Sequence, residues 1–151
     1  LDRILCGTSV RKGCRIQRWC FAHEGSHNDN YHIHFVARSP VDADQFCCLS
    51  NTLWVKLDRA TAGIKKNWIT PVVHRNRVAN YMVKEVWKLG AVSFDACLSC
   101  PHPQTFEATS ERHELRAARI RSAMSDNEER ASRAALEMHK AETQRRLALR
   151  R

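Results

Sequence analysis

The stretch Tyr31-His32-Ile33-His34-Phe35-Val36-Ala37 decides how the chain is read. Aromatic and β-branched residues in a short run predict a strand. Side chains alternate faces along a strand, so His32 and His34 point one way while Ile33 and Phe35 point the other. Two imidazoles held side by side on a rigid strand are half of a metal site.

The residues upstream offer the other half. Cys14 to Ala22 (CRIQRWCFA) alternates as a strand, and the turn-rich His23 to Asn30 (HEGSHNDN) joins it to the second as a hairpin. Folding that hairpin brings Glu24, eight residues before His32, beside the histidine pair. Two imidazoles and a carboxylate with open positions suit a divalent cation such as Mn²⁺ or Mg²⁺ better than structural zinc, which prefers a closed tetrahedron. His23 and His27 are alternatives to Glu24 as third ligand. An isolated His-x-His is most often a pair of polar residues on an exposed strand. Here four of the eight histidines fall between positions 23 and 34, which favours metal binding.

Downstream, Asp42 with Gln45 resembles a capping box. Phe46, Leu49, Leu53, Trp54 and Leu57 follow at helical spacing, predicting an amphipathic helix over 42–59. Trp68 to Val73 predicts a strand over 66–74 with an edge or kink at Pro71. Arg75 to Leu89 predicts a helix closed by Gly90. Val78, Met82, Val86 and Leu89 share one of its faces, and Arg77, Tyr81, Lys84 and Lys88 share another. Residues 1–13 show only turn signals. Residues 105–151 are rich in Ala, Glu and Arg without Gly or Pro, predicting one long helix or a pair broken at Ser122–Asn127. The expected fold is α+β: an antiparallel sheet from 14–23, 31–37 and 66–74 with helices 42–59 and 75–89 packed on it. Residues 1–104 form the main domain and 105–151 a charged helical extension.

The formal net charge is +9 with a pI near 9.6, which favours a polyanionic partner. Residues 1–104 carry 14 Lys/Arg against 8 Asp/Glu, the more lopsided part of the chain. All seven cysteines lie in the first hundred residues, an odd number that favours reduced thiols in a cytosolic setting over a disulfide framework. The opening Leu1-Asp2-Arg3-Ile4-Leu5 lacks the apolar run of a signal peptide, and no run approaches a membrane span. Cys97-x-x-Cys100 with His102, and Cys47 or Cys48 as a distant fourth ligand, is a weaker zinc candidate. No G-x-x-x-x-G-K-[ST] loop occurs, so these residues carry no P-loop helicase.

Tyr81 is the candidate nucleophile. A phenol with a pKa of about 10 attacks poorly at neutral pH. The nearby cations Arg77, Lys84 and Lys88 would stabilise the phenolate and bind the phosphate it attacks. Arg75, Arg77, Lys88, Lys65 and Lys66 are candidates for holding a DNA backbone, and Trp19 and Trp68 for stacking bases.

On these residues the chain resembles the HUH endonucleases. His32-Ile33-His34 is similar to their histidine–hydrophobe–histidine motif. Tyr81-Met82-Val83-Lys84 is similar to the Y-x-x-K motif of rolling-circle replication initiators, the Rep proteins. Glu24 matches the position of their acidic third ligand. The resemblance covers about residues 14–90. It implies a Rep-type nuclease palm that nicks and rejoins single-stranded or hairpin DNA at a replication origin. Tyr81 would form a 5′-phosphotyrosyl link, Lys84 would support the phosphate, and His32, His34 and Glu24 would hold Mn²⁺ or Mg²⁺. It further implies a host helicase and polymerase as partners. The compartment would be the cytoplasm of a bacterial or archaeal host, or the host nucleus for a eukaryotic virus. The family's opening strand with its T-L-T-like motif has no match in residues 1–13, so the expectation is that Leu1 lies downstream of it. Relaxases and HUH transposases share the chemistry, and His27-x-Asp29 is relaxase-like, but no tyrosine precedes Tyr31. A non-catalytic nucleic-acid-binding module is the alternative from another class.

Overall fold

Strand β1 (Arg18–His23) and strand β2 (His32–Ala37) pair antiparallel, with Phe21 opposite His34 and His23 opposite His32. They lie in a computed structural model that describes residues 1–23, 32–57, 69–82, 96–101 and 110–149. The order of elements is α1 (Asp2–Cys6), a 3₁₀ helix (Gly7–Lys12), β1, β2, α2 (Ala43–Leu57), α3 (Arg75–Met82), α4 (Ser110–Ala123) and α5 (Asp126–Ala148). The class is α+β, and among the described residues the sheet has two strands. The chain divides into two compact units. A hairpin unit comprises Thr8–Pro40 and Val72–Phe106, and a helical unit comprises Leu1–Gly7, Val41–Pro71 and Glu107–Arg151.

In the hairpin unit, β1 starts at Arg18, later than the alternation from Cys14 predicts. The Arg15 guanidinium turns back onto the carbonyls of Val10 and Cys14, tying the approach to β1 to the end of the 3₁₀ helix. Ile16 on this approach is 4% exposed.

The expected strand over 66–74 is a correction. Ile69–His74, the described part, is irregular. Pro71 has no N–H to give a ladder, and Val72 and Val73 stand 48% and 80% exposed. The outer edge of β1 is covered by residues 98–101 instead. Arg18 and Cys100 exchange backbone hydrogen bonds of 3.1 and 2.9 Å. The Cys20 N–H donates to Ser99 Oγ at 2.9 Å, and Gln17 Nε2 donates to the Pro101 carbonyl at 2.7 Å. A short edge covered in this way is protected from pairing with another chain.

In the helical unit, Asp42 Oδ1 accepts from the N–H groups of Asp44 and Gln45 at 3.0 and 3.1 Å, the expected cap of α2. The expected apolar stripe holds over the first half of α2 only. Phe46, Cys47, Cys48 and Leu49 are buried, but Trp54 and Leu57 are 43% and 82% exposed. The partner helix explains this. Asp44–Lys140 (2.8 Å), Thr52–Ser132 (2.8 Å) and Lys56–Glu128 (3.1 Å) step down α2 as they step back along α5, so the two run antiparallel. The side of α2 facing α5 is therefore set by Asp44, Cys48, Thr52 and Lys56, which recur every four residues. Leu136 of α5 is fully buried, a burial worth about 1.5–3 kcal/mol by transfer.

The break between α4 and α5 falls at Met124-Ser125, inside the expected interval. Ser125 caps α5 in a reciprocal capping box with Glu128. At the start of the chain, residues 2–12 are helical where only turns are predicted. The last carbonyls of α1 are satisfied by α4: Arg116 Nε donates to Leu5 O at 3.0 Å and Arg119 Nε to Ile4 O at 2.7 Å. Gly7 follows with φ +60°, and a Cβ there would come within 2.7 Å of Arg119 Nη1. Read from sequence alone, 105–151 stands apart as an extension. In the structure α4 and α5 share their unit with α1 and α2.

Candidate active site on the β-hairpin

The register sorts the hairpin into two faces. Positions 19, 21 and 23 of β1 lie with 32, 34 and 36 of β2 on one, and 18, 20 and 22 lie with 33, 35 and 37 on the other. Ile33 and Phe35 are 54% and 36% exposed on the second face. On the first face His34 is half-buried and its Nε2 is buried.

What meets His34 comes from α3. The helix opens with the Val78 N–H donating to the His74 carbonyl at 3.1 Å. Its described turns are amphipathic as predicted. Met82 is 5% exposed and Val78 half-buried, whereas Arg75 and Arg77 are exposed and Tyr81 is 49% exposed. Arg77 and Tyr81 are one turn apart and neighbours on the helix surface. The Tyr81 ring meets the His34 imidazole edge-on, with centroids 4.8 Å apart and planes at 81°. A T-shaped pair of this kind contributes about 0.5–1.5 kcal/mol beyond area burial. It joins the histidine strand to the tyrosine helix within one compact unit.

The structure thus brings together Tyr81 and His34, and it places Arg75 and Arg77 on the exposed side of α3. His32 is placed by its backbone in β2. Its side chain lies outside the described residues, as do Glu24, Lys65, Lys66, Lys84 and Lys88, and the expected continuation of α3 over 83–89. His27, Asp29, Trp68 and His102 lie outside them too. Among the described residues no three His, Cys, Asp or Glu side chains are grouped to hold a metal ion. Of the three expected ligands, only His34 has a described side chain.

Of the weaker zinc candidate's residues, Cys47 and Cys48 are buried and His102 lies outside the described residues. Burial, then the Asp44 carboxylate, pushes Cys47 up to about 12, and burial likewise raises Cys48. Cys97 is exposed and Cys100 half-buried, and the segment they bracket covers the β1 edge. Sequence reasoning missed that role, and it missed Phe21 as the cross-strand partner of His34. Alternation gives each strand's parity but not which residues face each other.

No family model, curated protein or solved structure matches the chain. The chemistry open to the site follows from its residues: a phenol against an imidazole, with exposed Arg77 one turn away on the same helix.

Proposed function

We propose that this protein nicks and rejoins single-stranded DNA, with Tyr81 as nucleophile, and so initiates rolling-circle replication. The contact between Tyr81 and His34 carries the reading. It brings the nucleophile of one motif to a histidine of the other, from elements distant in sequence. Two imidazoles and a carboxylate suit a divalent cation, and His34, whose Nε2 is buried, shares a strand face with position 32. Mn²⁺ or Mg²⁺ held by His32, His34 and a third ligand such as Glu24 would draw charge from the phosphate oxygens.

The chain's own residues do the rest. The Tyr81 oxygen attacks phosphorus and releases its proton. A phosphorus–tyrosyl oxygen bond forms as the bond to O3′ breaks, and O3′ leaves as a hydroxyl after taking up a proton. The product is a 5′-phosphotyrosyl link, and reversal rejoins the strand. Arg77, a turn from Tyr81, and Lys84 bind the phosphate. Arg75, Lys65, Lys66 and Lys88 follow the flanking backbone. The substrate is an unpaired or hairpin origin strand, and the free 3′-hydroxyl passes to a host helicase and polymerase. Reduced thiols fit the cytoplasm of a prokaryotic host, or the nucleus for a eukaryotic virus. Among the described residues no helix is long and apolar enough to cross a membrane.

The test is a labelled hairpin oligonucleotide incubated with the protein and Mn²⁺. Wild type leaves a covalent adduct on a denaturing gel and Tyr81→Phe leaves none. An adduct that survives in Tyr81→Phe reassigns the nucleophile. Binding without any adduct from wild type makes the protein a non-catalytic nucleic-acid-binding module.

A further inference from the structure

The contacts that tie residues 98–101 to the outer edge of β1 are hydrogen bonds, and they run antiparallel along it. The Pro101 carbonyl accepts from Gln17 Nε2 at 2.7 Å, Cys100 exchanges two backbone bonds with Arg18, and Ser99 Oγ accepts from the Cys20 N–H at 2.9 Å. The Leu98 carbonyl accepts from Arg18 Nε at 2.8 Å and from the Cys20 thiol at 3.5 Å. The Leu98 side chain stands 44% exposed. A segment held by polar contacts, with little apolar surface buried, opens locally at low free-energy cost. Two reduced thiols mark this strap: Cys97, exposed in the turn at 96–98, and Cys100, half-buried in the strap itself. All of these residues belong to the hairpin unit.

We propose that Cys97 and Cys100 form a thiol switch: oxidation to a disulfide draws the strap off β1, and reduction lets it dock again. A disulfide needs its two Cα atoms within about 7 Å. An extended chain spans about 10 Å in three steps, and two of the three steps from Cys97 to Cys100 lie in the run beside β1. Closing the ring therefore bends that run, and the bonds from Arg18 to Cys100 and from Cys20 to Ser99 cannot all survive. The co-reactant is a small disulfide such as oxidised glutathione. The thiolate of exposed Cys97 attacks one of its sulfurs, forming a mixed disulfide and releasing a first glutathione thiol. The Cys100 thiolate then attacks the Cys97 sulfur and releases the second. Two protein thiols are oxidised as one small disulfide is reduced to two thiols, which carry off the two protons. With the strap undocked, the edge of β1 presents unpaired N–H and C=O groups, and Cys20 loses its contacts with Leu98 and Ser99. The switch does not depend on the chemistry proposed for the histidine face.

The test equilibrates the full chain with mixtures of reduced and oxidised glutathione, identifies the linked cysteines by peptide mass spectrometry, and follows hydrogen exchange at single amides by NMR. Arg18 and Cys20 donate their N–H groups to the strap, so these two amides should exchange about ten-fold faster or more in the oxidised protein. The N–H groups of Trp19 and Phe21 point to the other side of the strand, and they should change by less than about two-fold, as should that of Leu49 in the helical unit. Cys97→Ser and Cys100→Ser should each abolish the response. Linkage requires the converse effect. Gln17→Ala removes a strap contact outside the ring, and it should shift the glutathione midpoint towards the disulfide by about 2–10-fold, the size of one hydrogen bond. Cys97 that stops at the mixed disulfide, or pairs with a cysteine other than Cys100, overturns the assignment. A Cys97–Cys100 disulfide with unchanged exchange at Arg18 and Cys20, or a midpoint that Gln17→Ala leaves in place, overturns the release.

Discussion

Tyr81→Phe separates a ring from its hydroxyl, and the two carry different parts of the proposal. The ring packs edge-on against His34 at 4.8 Å, while the hydroxyl is the proposed nucleophile. Ring pairs of this geometry contribute about 0.5–1.5 kcal/mol, and Tyr81 is 49% exposed, so the lower half of that range, about 0.5–1 kcal/mol, applies here. A double-mutant cycle isolates the term: wild type, Tyr81→Leu, His34→Leu and the double variant, unfolded in urea without metal. The coupling should be about 0.5–1 kcal/mol, and a parallel cycle starting from Tyr81→Phe should give nearly the same value because the ring remains. Adduct formation should vanish in Tyr81→Phe all the same. A coupling below about 0.3 kcal/mol, the level at which independent sites already add, would mean that the rings do not meet in solution. The reasoning from contact to chemistry would then lose its first step.

Leu136→Ala should cost about 2–5 kcal/mol in urea unfolding, because the side chain is fully buried; a loss under about 1 kcal/mol would contradict the packing of α5. Ser125→Ala removes the α5 cap and should cost about 0.5–2 kcal/mol near neutral pH. The Ser125 backbone N–H, with Lys56 and the Ser125 hydroxyl, holds the Glu128 carboxyl below its ordinary value of 4.5. A lowered folded pKa gives stability that is complete above the unfolded value and drains away as pH falls through the folded one. The gap between wild type and Ser125→Ala should therefore narrow on acidification below about pH 4.5, and a gap of constant size down to pH 3 would exclude the box. Under native thiol labelling read by mass spectrometry, exposed Cys97 should react first, and Cys47, pushed up to about 12, only after unfolding. Early modification of Cys47 would contradict its burial.

The parts of the fold that the sequence made legible are those decided by a few neighbouring residues. Asp42 marks the start of α2 because its carboxylate reaches two backbone N–H groups within three residues. Ser125 and Glu128 mark the α4–α5 break in the same way. The alternation of HIHFVA is enough to make β2. What escaped was set at a distance. The helix over 2–12 carries weak local signals and is held by two arginines of α4. Trp54 and Leu57 fit the apolar period of α2, but α5 lies along a different side of it. The strand over 66–74 is β-rich in composition, yet Pro71 removes a donor where a ladder would need one.

The site follows the same order of difficulty. Pairing His32 with His34 needs only the period of one strand. Knowing which residues of β1 face them needs the register of two, and a slip of one residue would exchange the odd positions of β1, Phe21 and His23 among them, for the even ones. Eight residues separate His23 from His32, where the turn that fixes a register by itself has two. The parity of β1 is held from its other edge. Cys20 is buried, its N–H is bound by Ser99 Oγ at 2.9 Å, its thiol donates to the Leu98 carbonyl at 3.5 Å, and Arg18 is bridged to Cys100. A slipped strand would carry Cys20 to the histidine face and leave those partners behind. The segment Leu98–Pro101, read from sequence as a poor zinc motif, thereby acts on the candidate site from outside it. By fixing which side of β1 faces out, it selects His23 as the residue opposite His32.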